Sequence, residues 1–183
     1  MSCFERLRGW RRYPQAAAAA WVAVLWTGCG LNPGSLSTPA VPKQPGGLRA
    51  APGWVMDRMA QVAPDLYFDF NSHVIRRPEK RQFAKIAAGL EGILHDFPDL
   101  IVVIEGHCDD RGLTEYNRQL GGERANAVKG ALLNLGFPEA CLRTVSLSHR
   151  APLCLTPDDQ CRQKNRRVHF RAAQLMSTAE GEE

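Results

Sequence analysis

A polar cluster at positions 105–112, with the sequence EGHCDDRG, directly follows the apolar run IVVI at positions 101–104. The apolar run is typical of a buried strand, and a helical pattern begins after Gly112. In open α/β folds, ligands bind at the carboxyl ends of strands, where helix N-termini present free N–H groups. The cluster offers carboxylates at Asp109 and Asp110 and a guanidinium at Arg111. We therefore expect a site for a small charged ligand here.

The same cluster gives little support for catalysis. Asp109 and Asp110 are adjacent, so their side chains diverge in most backbone conformations, whereas hydrolysis by paired carboxylates needs both groups in one cleft. The sequence also contains neither a GxSxG nor an HExxH motif. We expect a binding protein and not an enzyme.

The elements that must position this cluster alternate between strands and helices. Four apolar or aromatic segments predict strands: 66–70, 101–105, 142–148 and 168–171. Two segments with an apolar stripe of period 3.6 predict helices: 78–97 and 114–135. Thr114 is the expected N-cap of the second helix.

This order, β-α-β-α-β-β, predicts an α/β fold. We expect an α+β sandwich with a mostly parallel four-stranded sheet and two main helices on one face. The first three strands should be parallel because right-handed helical crossovers join them. The last connection, at 151–163, is shorter, so the fourth strand could run antiparallel to a neighbour.

The first 28 residues are typical of a secretory signal peptide. Their apolar segment at 16–28 is too short to cross a bilayer, because a spanning helix needs about 20 residues. The segment ends in Thr27, Gly28 and Cys29, and small residues before a cysteine resemble the lipobox of bacterial lipoproteins, in which the cysteine is lipidated. Trp26 stands where that motif usually has leucine, so an uncleaved anchor or an ordinary signal peptide is the alternative.

The formal net charge of the chain is +4, and the first 28 residues supply +3 of it through four arginines against Glu5. The rest of the chain is almost neutral, so the charge does not indicate a nucleic-acid partner. A hydrophobic content of 44% and a charged content of 23% are typical of a globular protein.

Residues 29–64 are expected to form an extended tether that starts at the lipidated cysteine. Positions 30–64 contain six prolines and five glycines, a composition that cannot bury enough apolar surface to fold alone. The apolar piece at 54–56 could dock on the domain or form a turn of helix that runs to Ala63. We place the folded domain at 65–173 and a polar tail at 174–183.

Eight short motifs occur in order within about residues 65–172: FDF at 68–70, IEGHCD at 104–109, RG at 111–112, EYN at 115–117, LG at 120–121, RA at 124–125, AV at 127–128 and NRRV at 165–168. Together they resemble the OmpA-like peptidoglycan-binding domain, in its lipoprotein branch. In that branch a threonine is usual where Cys108 stands. The turn at 148–150 and the loop at 151–163 also depart from the common form.

The resemblance implies non-covalent binding of the cell-wall stem peptide through its diaminopimelate residue. The far end of diaminopimelate carries an ammonium and a carboxylate on one carbon. By the family's pattern, the carboxylate of Asp109 accepts hydrogen bonds from the ammonium. Arg124 binds the ligand carboxylate, to which an arginine can donate two parallel hydrogen bonds. The remaining expected ligand-binding residues surround this pair: Phe70, Asn71, Asp110, Arg111, Gly112, Asn117 and Arg166.

Some of these residues have plainer interpretations. Asp109 and Arg124 could form a structural ion pair. Arg166 and Arg167 could be a solvated strand edge that discourages aggregation, or they could buttress Asp109 or contact the glycan. His107 could be a ligand residue, although a histidine after a strand is more often a satisfied hydrogen-bonding residue. Glu105 is expected to pair with a basic neighbour.

Two of the six cysteines lie in the N-terminal region, at Cys3 and Cys29. Cys154 and Cys161 bracket a short loop, and close pairs oxidise after export, so we predict a disulfide between them. Cys108 and Cys141 are expected to stay unpaired, because they would lie at opposite ends of parallel strands. No zinc-type cysteine or histidine spacing is present, and we expect neither a metal nor a cofactor.

The resemblance also implies a location and partners. We expect a lipid-anchored protein on the periplasmic side of the outer membrane, with peptidoglycan and a TolB-like periplasmic β-propeller protein as partners. Another envelope protein of the family, such as a wall-anchored stator or a secretion component, is the alternative. A stator needs a membrane span with an acidic residue, which positions 16–28 do not provide.

Overall fold

The computed structural model describes residues 47–175. The predicted signal peptide, the lipidation site Cys29 and the start of the tether lie outside the described residues, as does the tail beyond position 175. Among the helices formed by residues 47–175, none combines the length and the apolar character needed to cross a membrane.

Five strands and four α-helices make up the described part. The strands are β1 (Leu48–Ala50), β2 (Leu66–Tyr67), β3 (Leu100–His107), β4 (Leu142–Ser148) and β5 (Arg167–Leu175). The α-helices are α1 (Gly53–Val62), α2 (Arg77–Asp96), α3 (Thr114–Asn134) and α4 (Asp159–Asn165), and a 3-10 turn at Glu139–Cys141 precedes β4.

The sheet is mixed, with the order β1-β5-β3-β4, and β2 also pairs with β5. The strands β3 and β4 are parallel, as expected of a strand pair joined by a helix. The last strand, β5, is antiparallel to β3, β1 and β2. The expected mostly parallel four-stranded sheet is therefore wrong. The long strand β5 inserts between β2 and β3, so those two strands never become hydrogen-bonded neighbours.

The helices α2 and α3 form because each carries a buried apolar stripe. In α2 the stripe includes Phe83, Ile86, Leu90 and Leu94, and Pro78 lies in the first turn. In α3 the buried apolar residues are Leu120, Ala125, Val128 and Leu132. Thr114 is the first residue of α3 and not its N-cap, which is Leu113 without a side-chain hydrogen bond.

The predicted tether is folded at its C-terminal end, so the boundary at residue 65 is wrong. The strand β1 pairs with β5, and α1 buries Val55 and Met59 in the common core. The ring of Trp54 packs edge-on against Phe97 at a centroid distance of 5.2 Å. Docking of residues 54–56 and a helix that runs toward Ala63 were the two alternatives, and both are found, since the helix Gly53–Val62 packs on the domain. At the other end, β5 continues through Leu175, past the expected start of the tail.

Two glycines bring α3 against the end of β3. A Cβ atom on Gly106 would lie 1.8 Å from the backbone oxygen of Gly121, and a Cβ atom on Gly121 would lie 2.4 Å from Oγ of Ser146. Only glycine permits backbones to approach this closely. The contact fixes the first turns of α3 beside the loop at 108–113.

Candidate ligand-binding site

A small cleft opens where the loop after β3, the start of α3 and the loop after β2 meet. Eight of the nine predicted site residues line it: Phe70, Asn71, Asp109, Arg111, Gly112, Asn117, Arg124 and Arg166. The structure adds Cys108, Tyr116 and Leu120 to the lining. The cleft thus gathers residues that are distant in the sequence.

Asp109 is buried in the cleft wall, and its carboxylate already contacts two guanidinium groups. Its Oδ2 atom lies 2.7 Å from Nη2 of Arg111 and 3.0 Å from Nη1 of Arg166, and Oδ1 accepts the backbone N–H of Arg111 at 3.2 Å. Burial pushes the pKa of Asp109 upward, but the hydrogen bonds from Arg111 and Arg166 outweigh it, so the pKa lies below its ordinary value. Asp109 is therefore an anion at neutral pH.

Arg124 is fully buried, with 0% of its surface exposed, and it lies at the back of the cleft. Its guanidinium donates to three backbone oxygens: Nε to Ser72 at 2.8 Å, Nη1 to His107 at 2.7 Å and Nη2 to Asp69 at 3.1 Å. Nη1 also lies 3.6 Å from Sγ of Cys108. These contacts tie the loop after β2 to the end of β3.

Arg124 and Asp109 do not form a salt bridge, so they are not the structural ion pair considered from the sequence. Asp109 pairs with the other two cleft arginines, and Arg124 has no carboxylate partner within residues 47–175. Burial lowers the pKa of Arg124. A buried guanidinium without an anion is unfavourable, and a ligand carboxylate would relieve it.

The expected bidentate grip by Arg124 is not available in this arrangement. A guanidinium has five N–H groups, and four donor contacts of Arg124 are already made to protein acceptors. One N–H on Nη2 is left for a ligand. The second oxygen of a ligand carboxylate therefore needs a donor from another residue.

The solvated-edge interpretation of Arg166 and Arg167 is wrong, because only 8% and 5% of their surfaces are exposed. Arg166 buttresses Asp109, and its Nε donates to the backbone oxygen of Phe68 at 3.2 Å. Arg167 lies outside the cleft and pairs with Asp65 at 3.2 Å.

Arg111 is the most exposed of the three cleft arginines. Its side chain is 36% exposed, and its guanidinium lies over the ring of Phe70 at 4.1 Å from the centroid. Phe70 itself is 60% exposed, so the pair forms the outer wall of the cleft. A cation over an aromatic face is attracted weakly at such exposed sites.

Asn117 and Gly112 shape the loop more than they offer groups to a ligand. Nδ2 of Asn117 donates to the backbone oxygen of Arg111 at 2.8 Å and lies 3.4 Å from that of Asp109. Gly112 has a φ of +87°, a left-handed conformation that favours glycine. Together they hold the loop in the turn that aims Asp109 into the cleft.

Asn71 and Tyr116 close the cleft on the remaining side. The Tyr116 hydroxyl donates a hydrogen bond to Oδ1 of Asn71. The backbone of Asn71 has a positive φ of 52°. Tyr116 was not among the predicted site residues, and its surface is 49% exposed. Its position in the first turn of the helix that the polar cluster leads into was the signal that could have assigned it to the site.

Asp110 does not line the cleft. Its carboxylate points toward α4, where Oδ1 lies 2.8 Å from Nε of Arg162. The hydrogen bond from Arg162 lowers the pKa of Asp110. The adjacent carboxylates thus diverge, as the sequence predicted, and Asp110 serves to attach α4 to the loop.

The histidine and glutamate of the polar cluster lie on the opposite side of the sheet end. Glu105 pairs with Arg171 at 2.8 Å, as predicted. His107 is buried, with its ring close to the backbone of Ala151 and its Nε2 atom 3.9 Å from Oε2 of Glu105. Burial lowers its pKa from 6.5 to about 4.

Two cysteines are bonded close to the site. Cys154 and Cys161 form a disulfide with their Cα atoms 5.2 Å apart, which closes the loop before α4. Cys108 is a buried free thiol at the base of the cleft. Cys141 is buried in the 3-10 turn before β4. No group of residues within 47–175 has the composition and geometry to hold a metal ion.

Comparisons with known proteins identify the family of this chain. A family model described as the OmpA family matches residues 67–166. The peptidoglycan-associated lipoprotein of Brucella melitensis is 34% identical over 119 residues, which cover 65% of this chain and 68% of that protein.

Two solved structures are similar in fold. The crystal structure of the peptidoglycan-associated lipoprotein from Burkholderia pseudomallei has a TM-score of 0.54 and 33% identity, and the match covers 59% of this chain and 88% of that one. The periplasmic domain of MotB from Helicobacter pylori has a TM-score of 0.52 at 22% identity, covering 62% of this chain and 74% of that one. The second likeness concerns the fold alone.

Proposed function

We propose a function for this chain from its family, because the chain belongs to the OmpA family. Its folded domain binds peptidoglycan non-covalently through the cleft beside Asp109 and Arg124. The names of similar proteins support this, because they include peptidoglycan-associated lipoproteins. The proposed role is binding, with no chemical step.

The observation that carries the proposal is the unpartnered charge of Arg124. This guanidinium is fully buried, and no carboxylate within residues 47–175 forms a salt bridge with it. The negative charge of Asp109 acts on it only from beyond salt-bridge distance. Three guanidinium groups, those of Arg111, Arg124 and Arg166, line a cleft that contains a single carboxylate. Such a cleft favours a ligand that brings its own carboxylate.

The ligand group that fits is the zwitterionic end of diaminopimelate in the stem peptide. Its ammonium would contact Asp109, and its carboxylate would accept the remaining N–H of Arg124. Phe70 and Tyr116 would pack along the aliphatic part of the side chain, because both are exposed aromatic residues at the rim.

The wider function that we propose is a link between outer membrane and cell wall. Lipidated Cys29 would hold the chain to the membrane, since an acyl anchor gains about 0.8 kcal/mol for each buried CH₂ group. Residues up to about 47 would form the spacer. A TolB-like protein is the proposed periplasmic partner, within an envelope system of the Tol-Pal type.

Retention on intact cell walls tests the proposed ligand. The purified protein should be retained on peptidoglycan that contains diaminopimelate and much less on the lysine-containing kind, because lysine lacks the second carboxylate. The double variant Asp109→Ala with Arg124→Ala should lose retention while its circular dichroism shows a folded protein. Equal retention on both walls, or full retention by the double variant, rejects this site.

Metabolic labelling with palmitate tests the anchor. The wild-type protein should incorporate label and fractionate with the outer membrane, whereas Cys29→Ala should do neither. An unlabelled wild-type protein in the soluble fraction means that Cys29 is not lipidated.

A further inference from the structure

Arg111 occupies the position on Asp109 that a ligand ammonium needs. In the free protein, Nη2 of Arg111 lies 2.7 Å from Oδ2 of Asp109, and both residues line the cleft. The same oxygen contacts Arg166 at 3.0 Å. A cation that binds this oxygen must therefore replace one of these two guanidinium groups.

Arg166 is held too firmly to be the one that leaves. Its surface is 8% exposed, and it has two further hydrogen bonds, from Nε to the backbone oxygen of Phe68 and from Nη2 to Gln163. Arg166 therefore keeps its position next to β5 when another cation binds Asp109.

Arg111 is held loosely by comparison. Its side chain is 36% exposed, and besides Asp109 its contacts are the ring of Phe70 and a 4.0 Å approach to the exposed Asp159. Its Nε atom is buried and has no hydrogen-bond partner within residues 47–175. A buried donor without an acceptor is unfavourable, so the present position of Arg111 leaves one of its bonding groups unsatisfied.

Arg124 cannot satisfy a ligand carboxylate alone, because only one of its N–H groups is not already donated to the protein. Arg111 lies on the same cleft and carries N–H groups, including the unsatisfied Nε–H, that could serve the second carboxylate oxygen. Hydrogen bonds between a guanidinium and a carboxylate are charge-assisted and are stronger than those between neutral groups.

We propose that Arg111 determines the specificity of the cleft by exchanging partners. It pairs with Asp109 in the free protein, gives up that position to the ligand ammonium, and binds the ligand carboxylate together with Arg124. A ligand with an ammonium alone would displace Arg111 without offering it a new anion. The cleft would then hold an additional uncompensated positive charge. This inference rests on the proposed function and identifies Arg111 as the residue that makes the cleft bind diaminopimelate more tightly than lysine.

Binding of two soluble stem peptides tests the exchange. One peptide ends in diaminopimelate, and the other is identical but ends in lysine. In the wild-type protein the first should bind more tightly. In Arg111→Gln the ratio of the two affinities should shrink by about tenfold or more, since one charge-assisted hydrogen bond is lost and the competitor for Asp109 is removed. The lysine peptide should bind more tightly to this variant than to the wild type.

Arg162→Gln is the matched control, because Arg162 pairs with Asp110 outside the cleft, and it should keep the wild-type ratio. Arg111→Lys retains the charge but not the planar donor pair, so its affinity ratio should lie between that of the wild type and that of Arg111→Gln. In a nitrogen-15 spectrum, the Nε–H signal of Arg111 should shift on addition of the diaminopimelate peptide and not of an equal amount of the lysine peptide.

The outcomes separate this inference from the proposed function. If the wild-type protein prefers diaminopimelate, Asp109→Asn abolishes binding and Arg111→Gln keeps the wild-type ratio, the exchange is wrong while the site stands. If the wild-type protein binds neither peptide, or both equally, the proposed function and the exchange fail together.

Discussion

Arg124 joins the walls of the cleft from behind, because its guanidinium donates to backbone oxygens of both the loop after β2 and the end of β3. The resemblance assigns this residue to the ligand. Its complete burial and its three backbone acceptors could not be predicted. Those acceptors come from loops that are distant in the sequence, and only the folded chain brings them together.

For Asp109 and Asp110, local geometry alone allowed a correct prediction. Adjacent side chains in an extended loop diverge by local geometry alone, so the sequence could exclude a shared carboxylate site. Which of the two faces the cleft was decided by Arg166 and Arg162, which are more than fifty positions away.

His107 should make the protein less stable in mild acid. Burial holds the pKa of His107 at about 4 in the folded state, against 6.5 for an unperturbed histidine. Between these values the unfolded chain binds a proton that the folded protein does not. The free energy of unfolding should therefore fall as pH drops from about 6.5 to about 4, by up to about 3 kcal/mol.

Urea unfolding at several pH values measures this effect. His107→Leu should lose less stability than the wild type over that interval. Parallel curves for the wild type and His107→Leu would show that His107 does not titrate in this way.

At the scale of elements, local patterns predicted α2, α3, β3 and β4 close to their observed bounds. They failed where the outcome depends on pairing between distant segments, since nothing local specifies that β5 inserts between β2 and β3. The helix α4 was also missed. Its signal was the N-cap Asp158, whose Oδ1 accepts the backbone N–H of Cys161 at 2.7 Å, in a loop assigned to turns because of its proline and cysteines.

The contact between α3 and β3 should tolerate no side chain at Gly121. A Cβ atom there would lie 2.4 Å from Oγ of Ser146 and 2.9 Å from the backbone oxygen of Gly106. Gly121→Ala should lower the free energy of unfolding by about 1–3 kcal/mol, the usual cost of overpacking. Since α3 carries the cleft, binding to peptidoglycan should weaken as well.

The next residue provides the control. A Cβ atom on Gly122 meets nothing within 4 Å, so Gly122→Ala should leave stability unchanged or raise it by up to about 1 kcal/mol, as expected for alanine in a helix. Chemical denaturation compares the two variants. Equal effects would mean that the close approach of the backbones does not hold α3 in place.

At the scale of the whole molecule, the folded unit is larger than composition suggested. Proline and glycine in residues 30–64 predicted a tether, yet β1 and α1 complete the sheet edge and the core. Average composition concealed two buried positions one helical turn apart, Val55 and Met59. The folded part therefore begins near residue 48, before the expected boundary at residue 65.

Met59 provides a test of this larger unit. Its side chain is 0% exposed in the core, so Met59→Ala should reduce the free energy of unfolding by about 2–5 kcal/mol. Met56→Ala, on a half-buried position of the same helix, should cost clearly less. If Met59→Ala unfolds at the same denaturant concentration as the wild type, α1 is not part of the folded unit in solution.

In the proposed function, one carboxylate in a cleft of arginines recognises the zwitterionic end of the stem peptide. Calorimetric titration of Asp109→Asn and Asp110→Asn with a soluble diaminopimelate peptide measures the contribution of that carboxylate, because the two variants differ by one position and remove the same charge. Asp109→Asn should bind at least about tenfold more weakly than the wild type, as expected for a lost charged hydrogen bond, and Asp110→Asn should bind like the wild type. Wild-type affinity in Asp109→Asn, or an equal loss in both variants, would contradict the account.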